Sequence, residues 1–232
     1  MRRTELYRDR VLRDGAVGYW RLGEASGATA YDLAPVPHNG TYAGGVTLGQ
    51  PGAIADGDTA ALFDGTSGVV QIPSLTMVLP ITLELSCNPG VDAPQGLFDT
   101  GPSTQNTFRN STAGEVEWWN NDPHFALGLT HGNWYHLVFI FRFDGHRRID
   151  FYRNGSFILT ASGSTDPAIS WTTLRLGNIN NGAPWYGGFL DEVAVYPYAP
   201  TAQQVAEHYG LRLATGHCNF RRGLRHRMPG LA

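Results

Sequence analysis

Trp118-Trp119-Asn120-Asn121-Asp122 sets two indole faces beside amides and a carboxylate. That combination can stack on a sugar ring and hydrogen-bond its hydroxyls. Trp185-Tyr186 offers a second aromatic platform. The plainer alternative for both pairs is that one residue enters a core and its neighbour meets a subunit interface, where aromatics are also enriched. Glu115 and Glu117 are two apart and would share one face of a strand, yet two solvated charges beside Trp118 is the simpler reading. The eight His residues never fall into a His-Glu-x-x-His or comparable zinc spacing. Gly-x-Ser-x-Gly and Gly-x-x-x-x-Gly-Lys are absent, and the chain has no Lys. The nucleophile elbow and the phosphate loop are therefore excluded, and no enzyme is expected.

The elements that would position these residues are strands. From Leu137 to Phe143 the chain is a β-rich apolar run, broken by Asp144-Gly145, resumed at Ile149-Asp150-Phe151-Tyr152 and broken again at Asn154-Gly155. Asp-Gly and Asn-Gly supply the positive φ of two-residue hairpin turns, so this stretch predicts a β-meander. Across residues 17–198, Gly, Asn, Asp and Pro clusters separate short segments rich in Val, Ile, Phe, Tyr and Trp, which predicts an all-β, two-sheet antiparallel β-sandwich. Short helices are expected near both termini. One covers residues 3–13, with Leu6, Tyr7 and Val11 on one side and Gly15 ending it. The other covers 202–209, with Thr201 and Gln204 at capping-box spacing and Gly210 closing it.

Trp134-Tyr135-His136, the Asp144-Gly145 hairpin and the late strand Phe189-Leu190-Asp191-Glu192-Val193 resemble, in order and spacing, the laminin-G-like, concanavalin A-like jelly-roll family. The opening segment Gly18-Tyr19-Trp20-Arg21-Leu22-Gly23-Glu24 is similar to that family's first strand, and the resemblance continues through Asp32 to Tyr42, Ala61 to Gly65 and Gly96 to Asp99. It covers roughly residues 15–210. The chain departs from the family after Ile81-Thr82-Leu83-Glu84, where Ser86-Cys87-Asn88 stands in place of a Trp-containing strand end. Some members are endoglucanases with a Glu-x-Asp-x-x-Glu pattern, which this chain lacks. Others hold a structural calcium, and the resemblance implies Asp32, with oxygens near Asn39-Gly40-Thr41, and Asp191 as its ligands. His136 stands at the family's strand histidine, where packing or hydrogen bonding is expected rather than catalysis.

At 232 residues the chain can bury one sizeable core. It divides into a basic arm with a short helix (1–14), the sandwich (15–210) and an Arg-rich tail (211–232). All 17 basic residues are Arg. Residues 1–13 carry five Arg against Glu5 and Asp9, and residues 212–232 carry five Arg and no acid, so the remaining seven Arg against eighteen acids leave the body at −11. An acidic globule with basic ends suggests ends that dock on something negative. Arg2, Arg3, Arg212, Arg221, Arg222, Arg225 and Arg227 are the candidate assembly contacts, while nucleic acid is a weak expectation for so short a tail. No apolar run reaches the roughly 18 residues that would span a bilayer, and Met1 to Glu5 lead into a charged segment without an apolar signal core. The chain is therefore expected to be made in a cytoplasm without an obvious export signal. Its three Asn-x-Ser/Thr matches, at Asn39, Asn110 and Asn154, read as turns. Cys87 and Cys218 are expected to be free thiols.

A lectin-like sandwich without an export signal is reconciled by a bacteriophage structural protein, released by lysis. Similar single-module chains look like phage head-decoration or tail proteins. The expectation is a non-enzymatic virion-surface protein, a capsid decoration or tail component, that contacts other virion proteins, forms a homo-oligomer and adheres to host-surface glycan. The alternative is a free carbohydrate-binding module or adhesin associated with a glycoside hydrolase.

Overall fold

The computed structural model describes residues 6–213 except 55, 91–94, 101–106, 111–114, 119–124, 164, 166–169 and 180–181, with backbone alone at 107–110, 115–118, 126, 170, 179 and 182–183. Helix α1 (Tyr7–Arg13) precedes β1 (Gly18–Trp20), β2 (Thr29–Ala30), β3 (Gly40–Ala43), β4 (Val46–Pro51), β5 (Thr59–Asp64), β6 (Val69–Ile72) and β7 (Met77–Val78). The middle of the chain forms β8 (Ile81–Pro89), β9 (Gln95–Asp99), β10 (Thr107–Asn110), β11 (Glu115–Trp118), β12 (Phe125–Ala126), β13 (Tyr135–Phe143) and β14 (Arg147–Arg153). It ends with β15 (Ser156–Ser162), β16 (Ser170–Trp171), β17 (Leu174–Leu176), β18 (Asn178–Ile179), β19 (Gly182–Trp185), β20 (Gly187–Tyr196) and α2 (Ala202–Leu213).

Two antiparallel eight-stranded sheets form the expected sandwich. The first runs β15-β14-β13-β8-β20-β5-β4, with β1 also on β20; the second runs β12-β11-β10-β9-β17-β6-β3-β2. In β8, the alternate residues Ile81, Leu83, Leu85 and Cys87 enter the main core, together with Leu137, Phe139 and Phe141 of β13 and Phe98, Leu174 and Leu176 of the second sheet. The intervening Thr82, Glu84 and Ser86 are buried as well. A strand that is buried on both faces must be covered on both.

The second cover is the helix pair. Tyr7 and Val11 of α1 pack with Ala194 and Tyr196 of β20, and Val205 of α2 packs on Val138, Ile140 and Tyr152. Gly15 follows α1 at φ +84, the left-handed value that a glycine accepts without strain. The capping box at α2 forms as expected: Gln204 N–H donates to Thr201 Oγ1 at 3.2 Å, and Thr201 N–H donates to Gln204 Oε1 at 2.9 Å. Gly210 does not close α2, which runs on to Leu213. Leu211 packs beside the α1 cluster and Arg212 is buried, so tertiary contacts outweigh the glycine's cost of roughly 1 kcal/mol.

The two meander turns differ. Asn154 and Gly155, at φ +51 and +76, make a two-residue turn from β14 to β15, whereas Asp144-Gly145 needs His146 as a third residue, with Asp144 N–H donating to the His146 carbonyl at 3.2 Å. Among the described residues no helix is long and apolar enough to cross a membrane.

Candidate ligand-binding surface

On the outer face of the second sheet, strand register lines up one polar row. Asp99 of β9 stands opposite Arg175 of β17, which stands opposite Gln71 of β6, then Thr41 of β3 and Thr29 of β2. The alternate residues Phe98, Leu176, Val70 and Tyr42 fill the core. Side chains on a strand alternate between faces, so the row lies on the face away from the core, although Asp99 itself is buried, at 1% exposed. Arg175 Nη1 donates to Asp99 Oδ2 at 3.0 Å, which balances the one guanidinium of the row and holds its plane against the sheet. Gln71, Ile72, Pro73, Thr173, Leu174 and Arg175 enclose a depression of about 120 Å³. Amide, hydroxyl and a balanced ion pair can donate and accept hydrogen bonds toward a polyol. The row offers no nucleophile held by a base.

The strands beyond β9 continue this sheet. Thr107 of β10 stands opposite Asp99, and Trp118 of β11 stands opposite Phe108. In register Trp118 therefore continues the row of Phe98 and Phe108 and not the polar row of Asp99 and Thr107, while Trp119 and Asn121 lie outside the described residues. The second platform divides. Trp185 is half-buried, but Tyr186 is 2% exposed, its hydroxyl donates to the Phe189 carbonyl at 3.1 Å and its ring meets Phe63 edge-on at 6.1 Å. Tyr186 is thus a core residue and no sugar platform, because consecutive residues of an extended chain face opposite ways. On the first sheet, Trp134 and Phe189 form a half-buried pair with ring centroids 6.0 Å apart. Strand register brings them together, and no local motif announces them.

The residues expected to hold calcium do not fit a cation. Asp32 Oδ1 accepts Tyr19 N–H at 2.7 Å and Ala34 N–H at 2.8 Å, and its Oδ2 accepts His38 N–H at 2.8 Å. These donors take three of the roughly four lone-pair sites of the carboxylate, which pins the loop that follows β2. Asp191 Oδ2 accepts Ala53 N–H at 2.7 Å, while Oδ1 is buried without a partner. Burial, and next the neighbouring Glu192 charge, push the Asp191 carboxyl well above its ordinary range. Among the described residues no group of three or more His, Cys, Asp or Glu is placed to hold a metal ion.

Beside Asp191 the β20–β8 ladder shifts register, and Glu192 sits at φ +53. Its Oε1 accepts Arg21 Nη2 at 2.6 Å and Nε at 2.8 Å, and its Oε2 accepts the Tyr19 hydroxyl. A non-glycine residue in this conformation is costly and persists where its surroundings over-determine it. Here the bulge turns Glu192 onto Arg21, which also reaches Asp56 and Asp58, so the network clamps β1 and the loop before β5 onto the final strand.

His136 has a structural partner, as expected. Its Nε2 lies 2.7 Å from Glu84 Oε1, inside a network beneath the two helices. Glu84 also accepts the Tyr7 hydroxyl at 2.7 Å, the Tyr196 hydroxyl at 3.1 Å and His208 Nδ1 at 2.9 Å. Burial alone would raise the Glu84 pKa, but His208 and His136 outweigh it and hold the carboxylate well below its usual range. Of the expected assembly arginines, Arg212 is 5% exposed and belongs to the fold, since α2 carries it inward. Arg2, Arg3, Arg221, Arg222, Arg225 and Arg227 lie outside the described residues. Cys87 is a free thiol in the core, and Cys218 lies outside the described residues.

The geometry defines a lectin-like β-sandwich with a polar outer row on one sheet and a helix-covered face on the other. The profile of the concanavalin A-like lectin/glucanases superfamily, Laminin_G_3, matches residues 64–206, and the chain belongs to that family. No curated protein sequence matches it significantly. Among solved structures it is similar to domain 4 of AbnA, an extracellular arabinanase from Geobacillus stearothermophilus in complex with arabinotriose, at 19% identity and TM-score 0.62 over 84% of this chain and 98% of that one. It is also similar to the sialidase of Trypanosoma rangeli in complex with sialic acid, at 15% identity and TM-score 0.64 over 86% of this chain and 33% of that one. The receptor-binding domain of botulinum neurotoxin type G aligns at 9% identity and TM-score 0.62, over 84% of this chain and 51% of that one. The chain spans nearly all of the arabinanase domain, a third of the sialidase chain and half of the neurotoxin chain. At these identities the likeness concerns the fold.

Proposed function

We propose that this chain is a non-enzymatic binding module whose second sheet takes a neutral glycan on Gln71, Thr173 and Arg175, as part of a bacteriophage particle. The observation that carries the glycan reading is the depression lined by Gln71, Pro73, Thr173 and Arg175, which brings an amide, a hydroxyl and a charge-balanced guanidinium to one face of the second sheet. Sugar hydroxyls suit such donors and acceptors. Titration calorimetry against a panel of oligosaccharides tests it. A binder is expected whose affinity falls at least about tenfold, or about 1.4 kcal/mol, in Gln71→Ala and Arg175→Ala with the melting temperature kept. Affinity unchanged in both variants would move the site elsewhere.

The particle role rests on charge: an acidic body between Arg-rich ends suits a virion-surface component, a capsid decoration or tail protein, whose termini dock on other virion proteins. Because Arg212 is built into α2, the truncation that tests docking removes 214–232 and leaves the helix whole. Loss of incorporation into particles is expected, and full incorporation of the truncated chain would refute the anchoring role. A second reading, a carbohydrate-binding module serving a glycoside hydrolase, is favoured by the near-complete overlap with the arabinanase domain. It calls for a monomer that binds polysaccharide with the tail removed.

A further inference from the structure

Both ring nitrogens of His208, on α2, face carboxylates. Nδ1 lies 2.9 Å from Glu84 Oε2 and 3.1 Å from Glu84 Oε1, and Nε2 lies 3.0 Å from Asp14 Oδ2. A neutral imidazole has one N–H and one lone pair, and a lone pair aimed at a carboxylate repels it. The geometry therefore assigns the doubly protonated imidazolium. This one cation joins three parts of the molecule: β8 through Glu84, the end of α1 through Asp14, and α2 itself.

Besides His208, α2 is held by Leu211 beside the α1 cluster, by the Tyr209 ring stacked on His136 with centroids 5.9 Å apart and by Glu207 on Arg10 at 2.6 Å. Its buried apolar anchor is Val205 against Val138, Ile140 and Tyr152. Further along, the contact is polar and poorly satisfied: Ser86 Oγ, His136 Nδ1 and Arg212 Nε are all buried without a partner. Ser86 and His136 are adjacent in strand register, and the Arg212 charge acts on His136. Buried polar atoms of this kind gain hydrogen bonds when water reaches them, so lifting α2 satisfies groups that docking leaves unpaired.

We propose that α2 is a releasable latch, docked by the proton on His208 that bridges Glu84 and Asp14 and freed when that proton leaves. The groups facing His208 are Glu84 on β8, His136 on β13, Tyr196 on β20, Tyr7 on α1 and Asp14 after it, with Arg10 bound to Asp14 at 2.7 Å. On its own helix, Arg212 lies one turn on, and Glu207 pairs with Arg10 at 2.6 Å. Burial lowers the His208 pKa, but Glu84 and Asp14 outweigh it, so the folded value stands above 6.5. The docking contribution is therefore complete below about pH 6.5 and is lost as pH rises through the folded value. Tyr7 and Tyr196 are pushed further above 10 by burial and the Glu84 charge, so they stay neutral through that window. Release would uncover the Glu84 face of the sheet.

Hydrogen exchange of the full chain, corrected for intrinsic rate, reads the latch between about pH 6 and about pH 10, bracketing a raised histidine value. In the wild type, protection of residues 202–213 should fall by up to about tenfold per pH unit from about pH 6.5 up to the raised folded value of His208 and level off above it, the limit for one proton, while β13 keeps its protection. His208→Gln should show weak protection of α2 with no pH dependence, and Asp14→Asn should move the midpoint to lower pH. Asp14→Asn remains readable if the His208 variant does not fold. Flat protection of α2 in the wild type, an unchanged slope in His208→Gln, or loss of β13 in parallel with α2 would each overturn the proposal.

Discussion

Replacing Glu84 by Gln keeps the shape of the side chain and removes its charge at the centre of the network under the helices. Four groups donate to the carboxylate: the hydroxyls of Tyr7 and Tyr196 and the rings of His136 and His208. An amide can accept through one oxygen only, and its NH₂ would confront donors on the other side. The His208 cation also loses one of its two buried partners. Breaking one side of a buried pair costs about 3 to 5 kcal/mol; because Asp14 remains on Nε2, the expected loss lies near the lower end, about 3 kcal/mol. With a urea slope of about 2 to 3 kcal/mol/M, the unfolding midpoint should drop by about 1 M at neutral pH with the slope unchanged. The folded-state pKa of Glu84 is depressed, so its contribution is present above about 4.5 and lost as pH falls through the folded value. The acid limb of the wild-type stability curve should accordingly be shallower in Glu84→Gln. Urea titrations of both proteins at about pH 7 and about pH 4 decide the matter. A neutral-pH loss below about 1 kcal/mol, the worth of a single ordinary hydrogen bond, would refute the view that this carboxylate is the hub on which the helix cover rests.

Gly188 lies at φ +144, and a Cβ there would stand 2.4 Å from the Asn88 carbonyl oxygen and 2.7 Å from the Gly90 nitrogen. These are backbone atoms that cannot step aside, so Gly188→Ala should cost at least about 2 kcal/mol and lower the melting temperature by about 4 to 8 °C. Burial pushes the Cys87 thiol up to about 12; in a Cys218→Ser background, a thiol reagent should leave the native protein unlabelled and label it fully in denaturant, and rapid native labelling would place Cys87 at the surface instead. Asp64 Oδ1 accepts the N–H groups of Thr66, Ser67 and Gly68 at 2.8 to 2.9 Å. Desolvation alone would raise its pKa, but the bonds from Thr66, Ser67 and Gly68 together outweigh it and hold it below 3.8. Asp64→Ala should cost about 1 kcal/mol in urea unfolding, and the difference from wild type should shrink as pH falls through that depressed value; a difference independent of acid would assign the effect to something other than the ionised turn.

The sandwich was legible because strand periodicity and turn chemistry are local. The apolar run of β13, the Asn154-Gly155 turn and the Thr201-Gln204 capping box depend on residues within a few positions of each other, so types and spacing suffice to read them. The candidate binding row was not legible. Asp99, Arg175 and Gln71 come from three separate strands, and no pattern along the chain marks them as neighbours. Tyr186 shows the converse failure: an aromatic pair suggested a platform, and only the register of the sheet decided which ring went inside. The resemblance pointed to Asp32 and Asp191 as a pair, but hydrogen-bond accounting in three dimensions gives them separate tasks.

By itself, the sequence determined an all-β, two-layer lectin-like shape with a short helix toward each end, because hydrophobic alternation and positive-φ turn residues act over the length of a strand. The tertiary structure decided what the helices do. His208 meets Asp14 across a separation of 194 positions, and Glu84 becomes a hub only when two strands and two helices converge on it. Such contacts arise where burial removes water and forces every charge to find a partner, a demand felt only once the chain has closed around the site.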